Sequence, residues 1–286
     1  MDAMAPADHS PLPGTLPGMP PRAVPRLPPA LIAQVRAVFL GALALAVFIG
    51  LWQAACVTGF DFFVRFDNIP APTQVAARAW AVAFSPDFLN DIVVSCGRVY
   101  LGFAAAALVG VPLGLLIGRY AIARELLFPL CEVMRPVPAI AWVPISIMLW
   151  PTNWQSIVFV TFLGAVFPIL LNTLSGMQRI DRVLVLAARS LGASEGAIFR
   201  EVYLPACLPA IFTGLAVGMG VGWVSVIAAE MISGQSGIGY FTWEAYSLIQ
   251  YSDIVLGMVA IGLLGLASSS AIRGMGRIMM PWLARG

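Results

Sequence analysis

Few residues in this sequence combine type and spacing that could do chemistry, and those that could are charges set in apolar runs. Arg135 lies within CEVMRPVPAIAWVPISIMLWP, with Glu132 three residues before it. An arginine near mid-bilayer costs about 2.5–3.5 kcal/mol on insertion scales, so it should face a protein interior. Two readings stand side by side: Arg135 lines a path for an anion, or it pairs with Glu132 along one helical turn near the membrane surface. Glu230 is an acid near the end of another apolar run, followed by Met231 and then by Gly234, Gly237 and Gly239, which predict a flexible turn. Tyr240, Phe241 and Trp243 come next and suit a membrane interface. That stretch reads either as an aromatic belt with a loop or as an outer gate for a solute. The candidates for a translocation path are therefore Glu132, Arg135, Pro136, Trp142, Glu230, Met231, Tyr240 and Trp243.

Other chemistries find no residues. The single histidine, His9, lies in a Pro-rich tail, so a histidine-based metal site is excluded. Cys56, Cys96, Cys131 and Cys207 are scattered without a CxxC pair and read as small buried residues. HExxH is absent and no histidine lies in an apolar run, which leaves a membrane-embedded hydrolase without its usual base. GxxxxGK[ST] is absent too, so any nucleotide must be bound by another chain.

The elements that position these residues must lie in a bilayer. Of 286 residues 60% are hydrophobic and 10% charged, where a soluble domain is nearer a quarter charged. A net charge of +2, all of the basic residues being arginine, gives no reason to expect nucleic acid. Residues 1–30 hold nine prolines and predict a disordered cytoplasmic tail, leaving 31–286 as the membrane domain. Six runs are long enough to cross: about 33–57, 92–118, 126–150, 155–177, 207–232 and 254–280. The prolines of the third, Pro129, Pro136, Pro138 and Pro144, argue against one regular helix there. With the tail inside, twelve arginines fall on the cytoplasmic side, against Arg65 and Arg78 outside, which fixes the orientation. Gly110, Gly114 and Gly118 share one helical face, as do Gly214, Gly218 and Gly222, and predict close packing inside the bundle rather than a dimer seam.

Between the fourth and fifth runs lies a polar stretch, VLAARSLGASEGAIFREVYLP, from Val185 to Pro205. Leu184, Ala187, Ala188 and Leu191 fall on one helical face. Gly192 ends that helix and Ser194 can cap a second one, which turns Ile198, Phe199, Val202 and Tyr203 to one side. Pro205 and Pro209 prevent it from running unchanged into the next span. Two helices this short need a partner for their apolar face.

Ala187-Ala188, then Gly192, then Val202-Tyr203-Leu204-Pro205 resembles the EAA loop of bacterial ABC-importer permeases, with Leu186 at the glutamate position. Together with RPVPAIAWVPI and AAEMI…SGIGYFTWEAY, the likeness is to the nitrate, sulfonate, taurine and bicarbonate branch, with GIGYFTWEAY most similar to the nitrate and bicarbonate members. The resemblance implies an all-α integral membrane fold, a six-span helical bundle of the type I ABC-importer permease kind, in the bacterial inner membrane with its N-terminus cytoplasmic. It implies that loop 183–205 couples to the ATPase through Ala187, Ala188, Gly192, Ala193, Ser194, Ile198, Phe199, Leu204 and Pro205. The implied partners are a second permease copy, two ABC ATPase subunits that hold ATP and Mg, and an extracytoplasmic solute-binding protein, with no cofactor on this chain. The alternative is a gradient-driven secondary anion transporter or channel, which would need a coupling-ion carboxylate at mid-depth; Glu132 and Glu230 both lie nearer the ends of their runs.

Overall fold

The computed structural model describes residues 29–58 and 69–282, and every regular element among them is helical. The tail expected to be disordered lies outside the described residues up to 28, as do Arg22, Arg26, Arg65 and Arg285. The chain divides into two units, Met1–Trp52 and Gln53–Gly286. The first is represented by most of α1 (Pro29–Thr58), a single helix apolar enough to cross a membrane.

The second unit holds α2 (Pro72–Val82), α3 (Pro86–Arg119), α4 (Ala121–Met134), α5 (Val143–Leu149), α6 (Asn153–Gln178), α7 (Arg182–Ser190), α8 (Glu195–Ile198), α9 (Leu204–Ser233), α10 (Ile238–Ser247) and α11 (Tyr251–Met279). Of these, α3, α6, α8 with α9, and α11 are long and apolar enough to span, and α4 with the 3-10 turn Ala139–Trp142 and α5 makes one broken span, bent by 87°. With α1 that is six, as the hydropathy predicts. The break falls at Arg135–Pro138 and not at Pro129, which α4 accommodates within its own length. Pro136 and Pro138 in succession remove two backbone donors, and the helix cannot continue.

Local sequence starts and stops the long helices. Ser85 caps α3 by accepting from the Phe88 N–H at 3.3 Å, with Pro86 in the first turn and Asp87 beside it. Arg119 sits in the last turn, where a cation meets the negative end of the helix dipole. Thr152 caps α6 through the Gln155 N–H.

The core is α6, held between α3 and α9. The two glycine stripes face it from opposite sides. A Cβ added at Gly110 would lie 3.1 Å from Ile169, and one at Gly114 2.7 Å from the Leu170 carbonyl. From the other side, a Cβ at Gly218 would lie 2.7 Å from Ile169 and one at Gly214 2.8 Å from Asn172. Ile169 is fully buried between the two stripes. In lipid, where apolar side chains gain nothing by leaving one apolar medium for another, such close backbone approach supplies the packing energy. Polar groups add to it: the Trp223 indole N–H donates to Ser268 on α11 at 3.3 Å, and the Cys207 thiol donates to the Thr173 carbonyl.

Two segments expected to be linkers contain helices. Within 58–91 lies α2, tied to α11 by a two-pronged ion pair from Arg78 to Asp253 at 2.6 and 2.8 Å. Within 233–253 lies α10, where the aromatic-rich sequence suggested a loop. The apolar spacing that would have announced both is short and interrupted by small residues.

Candidate functional site

Arg135, at the break in the third span, lines a cavity of about 610 Å³. Its walls come from the break itself (Val137, Pro138), from α6 (Phe167, Asn172) and from α9 (Val217, Ser225). The bend creates the space: where the backbone turns by 87°, no helix fills the gap against α6 and α9. Glu132 lies 3.6 Å from Arg135, and both side chains are about half exposed. The pairing is therefore loose and leaves the guanidinium free to meet an anion. Asn172 donates to the Pro168 carbonyl, and Ser225 donates to the Val221 carbonyl, so each keeps spare hydrogen-bonding capacity.

The remaining path candidates lie elsewhere. Pro136, Trp142, Met231, Tyr240 and Trp243 are not among the residues that line this cavity, nor are Glu132 and Glu230. Trp243 is exposed and stacks near Tyr246, with ring centroids 5.5 Å apart. Tyr240 is half-buried and reaches Glu244 at 3.4 Å.

Glu230 is fully buried, and the sequence reading missed its partner, Arg98 of α3. The Arg98 guanidinium donates to the Glu230 carboxylate at 2.7 Å and to the Ser236 carbonyl at 2.8 Å, and lies 5.2 Å over the Trp154 ring. Ser95 donates to the same carboxylate at 2.8 Å, and the Gly239 N–H donates at 3.0 Å. The turn after α9 is accordingly tied to α3 and to Glu230 by hydrogen bonds. Gly237 has φ +108°, a value side chains rarely adopt, and its N–H donates to Asp91 at 2.7 Å. The Ile238 N–H donates to Ser95 at 2.9 Å. Glycine is required at 237 and 239 because Glu230 occupies the space a Cβ would need. The signal for Arg98 was its own presence, a lone cation in a long apolar run that needs an opposite charge.

At the other end of the bundle the polar stretch forms an elbow. Asp181 caps α7 through the Val183 N–H at 2.8 Å. Gly192, with φ +80° and open space around it, turns the chain, and Ser194 caps α8 through the Ala197 N–H. The elbow does run on into α9, through one wide π-helical turn, Phe199–Tyr203. That turn absorbs the register change which Pro205 would otherwise force by breaking the helix. Ile198 is buried and Phe199, Leu204 and Pro205 are half-buried, which anchors the second limb. Ala188 and Ala193 are half-buried, whereas Ala187, Gly192 and Ser194 are exposed. The first limb is bare: Val183, Leu184, Leu186 and Leu191 are exposed, Leu191 by 88%. Glu195 joins the elbow to the body through ion pairs with Arg119 and, at 2.8 Å, with Arg189. The hydrogen bond from Arg189 holds the Glu195 carboxyl below its ordinary pKa. This contact is therefore complete above the usual glutamate range and fades only as pH falls through the lowered value.

A helical bundle with a broken span beside an open cavity and a short amphipathic elbow at one end is the architecture of an importer permease. Residues 110–285 match the binding-protein-dependent transport system inner membrane component family, and the chain belongs to it. It is 34% identical over 249 residues to the nitrate import permease protein NrtB of Synechocystis, covering 84% of this chain and 88% of that one. It is 41% identical over 175 residues to the bicarbonate transport system permease protein CmpB of Synechococcus elongatus, covering 61% and 63%. Among solved structures, the MetNI methionine ABC transporter in its inward-facing form matches with a TM-score of 0.53 at 19% identity, over 66% of this chain and 95% of that one. That last likeness is one of fold.

Proposed function

We propose that this chain carries a small anion across the membrane, nitrate or bicarbonate first and a sulfonate such as taurine next, as the permease of an ATP-driven importer. The observation that carries the reading is Arg135, loosely paired, on a cavity whose other walls are largely apolar. A cation in such surroundings attracts an anion without holding it as tightly as a closed binding site does, which suits passage. The names of the similar nitrate and bicarbonate permeases support the same class of solute.

The exposed apolar limb of the elbow, Val183 to Leu191, is the surface on which a separate ATPase docks, and ATP and Mg belong to that partner. The ATPase pair, on closing, draws two such elbows together and reopens the spans outward, a two-state change driven by differential contact. The elbow end carries Arg119, Arg124, Arg179, Arg182, Arg189, Arg200, Arg273 and Arg277, an excess of positive charge in keeping with a cytoplasmic elbow and N-terminus. A solute-binding protein delivers the anion to the opposite face.

The test is uptake of labelled nitrate, bicarbonate and taurine by the complex reconstituted in proteoliposomes. ATP-dependent uptake of one of them is expected, with Arg135→Gln lowering it by roughly tenfold or more, since a contact to a charged group is worth about 1.5–3 kcal/mol. Uptake by this chain alone, driven by an ion gradient, would overturn the reading in favour of a secondary transporter.

A further inference from the structure

Along α9 toward the elbow, the Arg135 cavity meets a second one, of about 550 Å³, between α9 and α11. The first follows α9 from Val217 to Ala228, the second from Pro209 to Gly220, and Val217 lines both. At helical rise the step from Val217 to Pro209 carries the second cavity about 12 Å further toward the elbow end. Its α11 wall holds Arg273 and Arg277, one turn apart on the same face. Both are exposed, and neither forms an ion pair among the described residues. Like charges at this spacing repel, and an anion held between the two guanidiniums reverses that. The rest of the wall is largely apolar, with Phe212, Ala216, Val217 and Met280, so the field of the pair is focused into the cavity.

Gly220 gives a second, independent sign that this space is kept clear. Glycine inside a helix costs stability relative to alanine, and Gly214 and Gly218 have a reason to be there in their close approach to α6. Gly220 has none: nothing lies within 4 Å of where its Cβ would stand. Its lack of a side chain serves the cavity and not the packing. Arginines at the inner end of a span are common, and what ties these two to the transported solute is the continuity of their cavity with that of Arg135. We infer that this cavity is the inner vestibule of the path, in which Arg273 and Arg277 receive the anion after it leaves Arg135 and passes Val217. A succession of weak sites lets a solute leave where one strong site would retain it. The inference rests on the reading that the solute is an anion.

Labelling of a cysteine at Gly220→Cys tests it, in a chain whose four native cysteines are replaced. The nucleotide-free complex is placed in proteoliposomes with its ATPase outward, and two methanethiosulfonate reagents are added from that side, one bearing a sulfonate and one a trimethylammonium group. Expected is reaction with the sulfonate reagent faster by about tenfold or more, as a cleft of one charge sign gives. Arg273→Gln with Arg277→Gln should abolish that preference and lower ATP-driven anion uptake by a similar factor, with copurification of the ATPase unchanged. Arg273→Lys with Arg277→Lys should retain the preference. So should Arg124→Gln with Arg182→Gln, the same charge change around a different cavity at that end. No reaction with either reagent would mean that lipid or a second copy fills the space, and the vestibule is overturned. Equal rates for the two reagents, equal loss of preference in both Gln double variants, or undiminished uptake after Arg273→Gln with Arg277→Gln would overturn it as well. A complex that keeps the labelling preference yet imports none of nitrate, bicarbonate and taurine would refute the choice of solute and support the vestibule.

Discussion

Arg98 and Glu230 show what a charge inside an apolar helix needs in order to remain there. Each is nearly or fully buried, and each would cost several kcal/mol alone. Together with Ser95, Gly239 and the Ser236 carbonyl they form a set in which the carboxylate is fully satisfied. Removing one partner leaves the other charge stranded. Arg98→Ala should therefore destabilise the reconstituted protein by about 3–5 kcal/mol, read as a lower thermal midpoint and faster proteolysis after Ser233. Arg98→Met combined with Glu230→Met should recover part of that loss, because no charge is stranded although the Gly239 N–H and the Ser236 carbonyl lose their partners. If the double variant were as unstable as Arg98→Ala, the pair would be doing something other than neutralising itself. The sequence made Glu230 visible as an acid in an apolar run, but its partner lies 132 positions away. Local spacing cannot announce a contact of that range, so the sequence offers Glu230 as a path residue and is silent on the bonds its carboxylate makes to Arg98, Ser95 and Gly239.

Elements were more legible than contacts, because length, hydropathy and breakers act locally. The six spans, the irregular third one, the Gly192 turn and the Ser194 cap all follow from residues within a few positions of one another. What stayed hidden were α2 and α10, whose 11 and 10 residues give about three turns of apolar spacing interrupted by small residues, and the π turn, which is a compromise between a helix and the proline ahead of it. The elbow's geometry yields the prediction that belongs to this scale. At φ +80° a β-branched residue clashes with its own backbone, yet nothing lies within 4 Å of the Gly192 side-chain position. Gly192→Val should then re-aim the first limb without disturbing the core. The expected outcome is normal membrane insertion and an unchanged thermal midpoint, with ATP-coupled uptake lost. Full uptake by this variant would mean that the angle between the limbs does not transmit force.

For the whole molecule, the question is what closes the Arg135 cavity. Its lining includes Val217, Val221 and Val224, on the side of α9 where Thr213, Val217, Val224 and Ile232 are exposed. A cavity with a guanidinium on its wall is poorly matched to lipid chains, since an arginine facing hydrocarbon carries a penalty that a protein-lined or water-filled space removes. A second copy related by a twofold axis, with α9 facing α9, would convert two open grooves into one enclosed path, and isologous pairing is the commonest route to such closure. Gly214, Gly218 and Gly222 of α9 already pack toward α6, so this outer stripe of larger residues is free to serve between copies. Spin labels test the arrangement directly. In a chain with Cys56, Cys96, Cys131 and Cys207 replaced, a label at Val217→Cys should show strong dipolar coupling between copies in the reconstituted complex. A label at Leu108→Cys, exposed on α3, should couple more weakly, and the Val217 distance should change when ATP closes the motor. Uncoupled labels at Val217 in an intact, transporting complex would mean that another surface seals the cavity, and α9 would lose its place at the centre of the path.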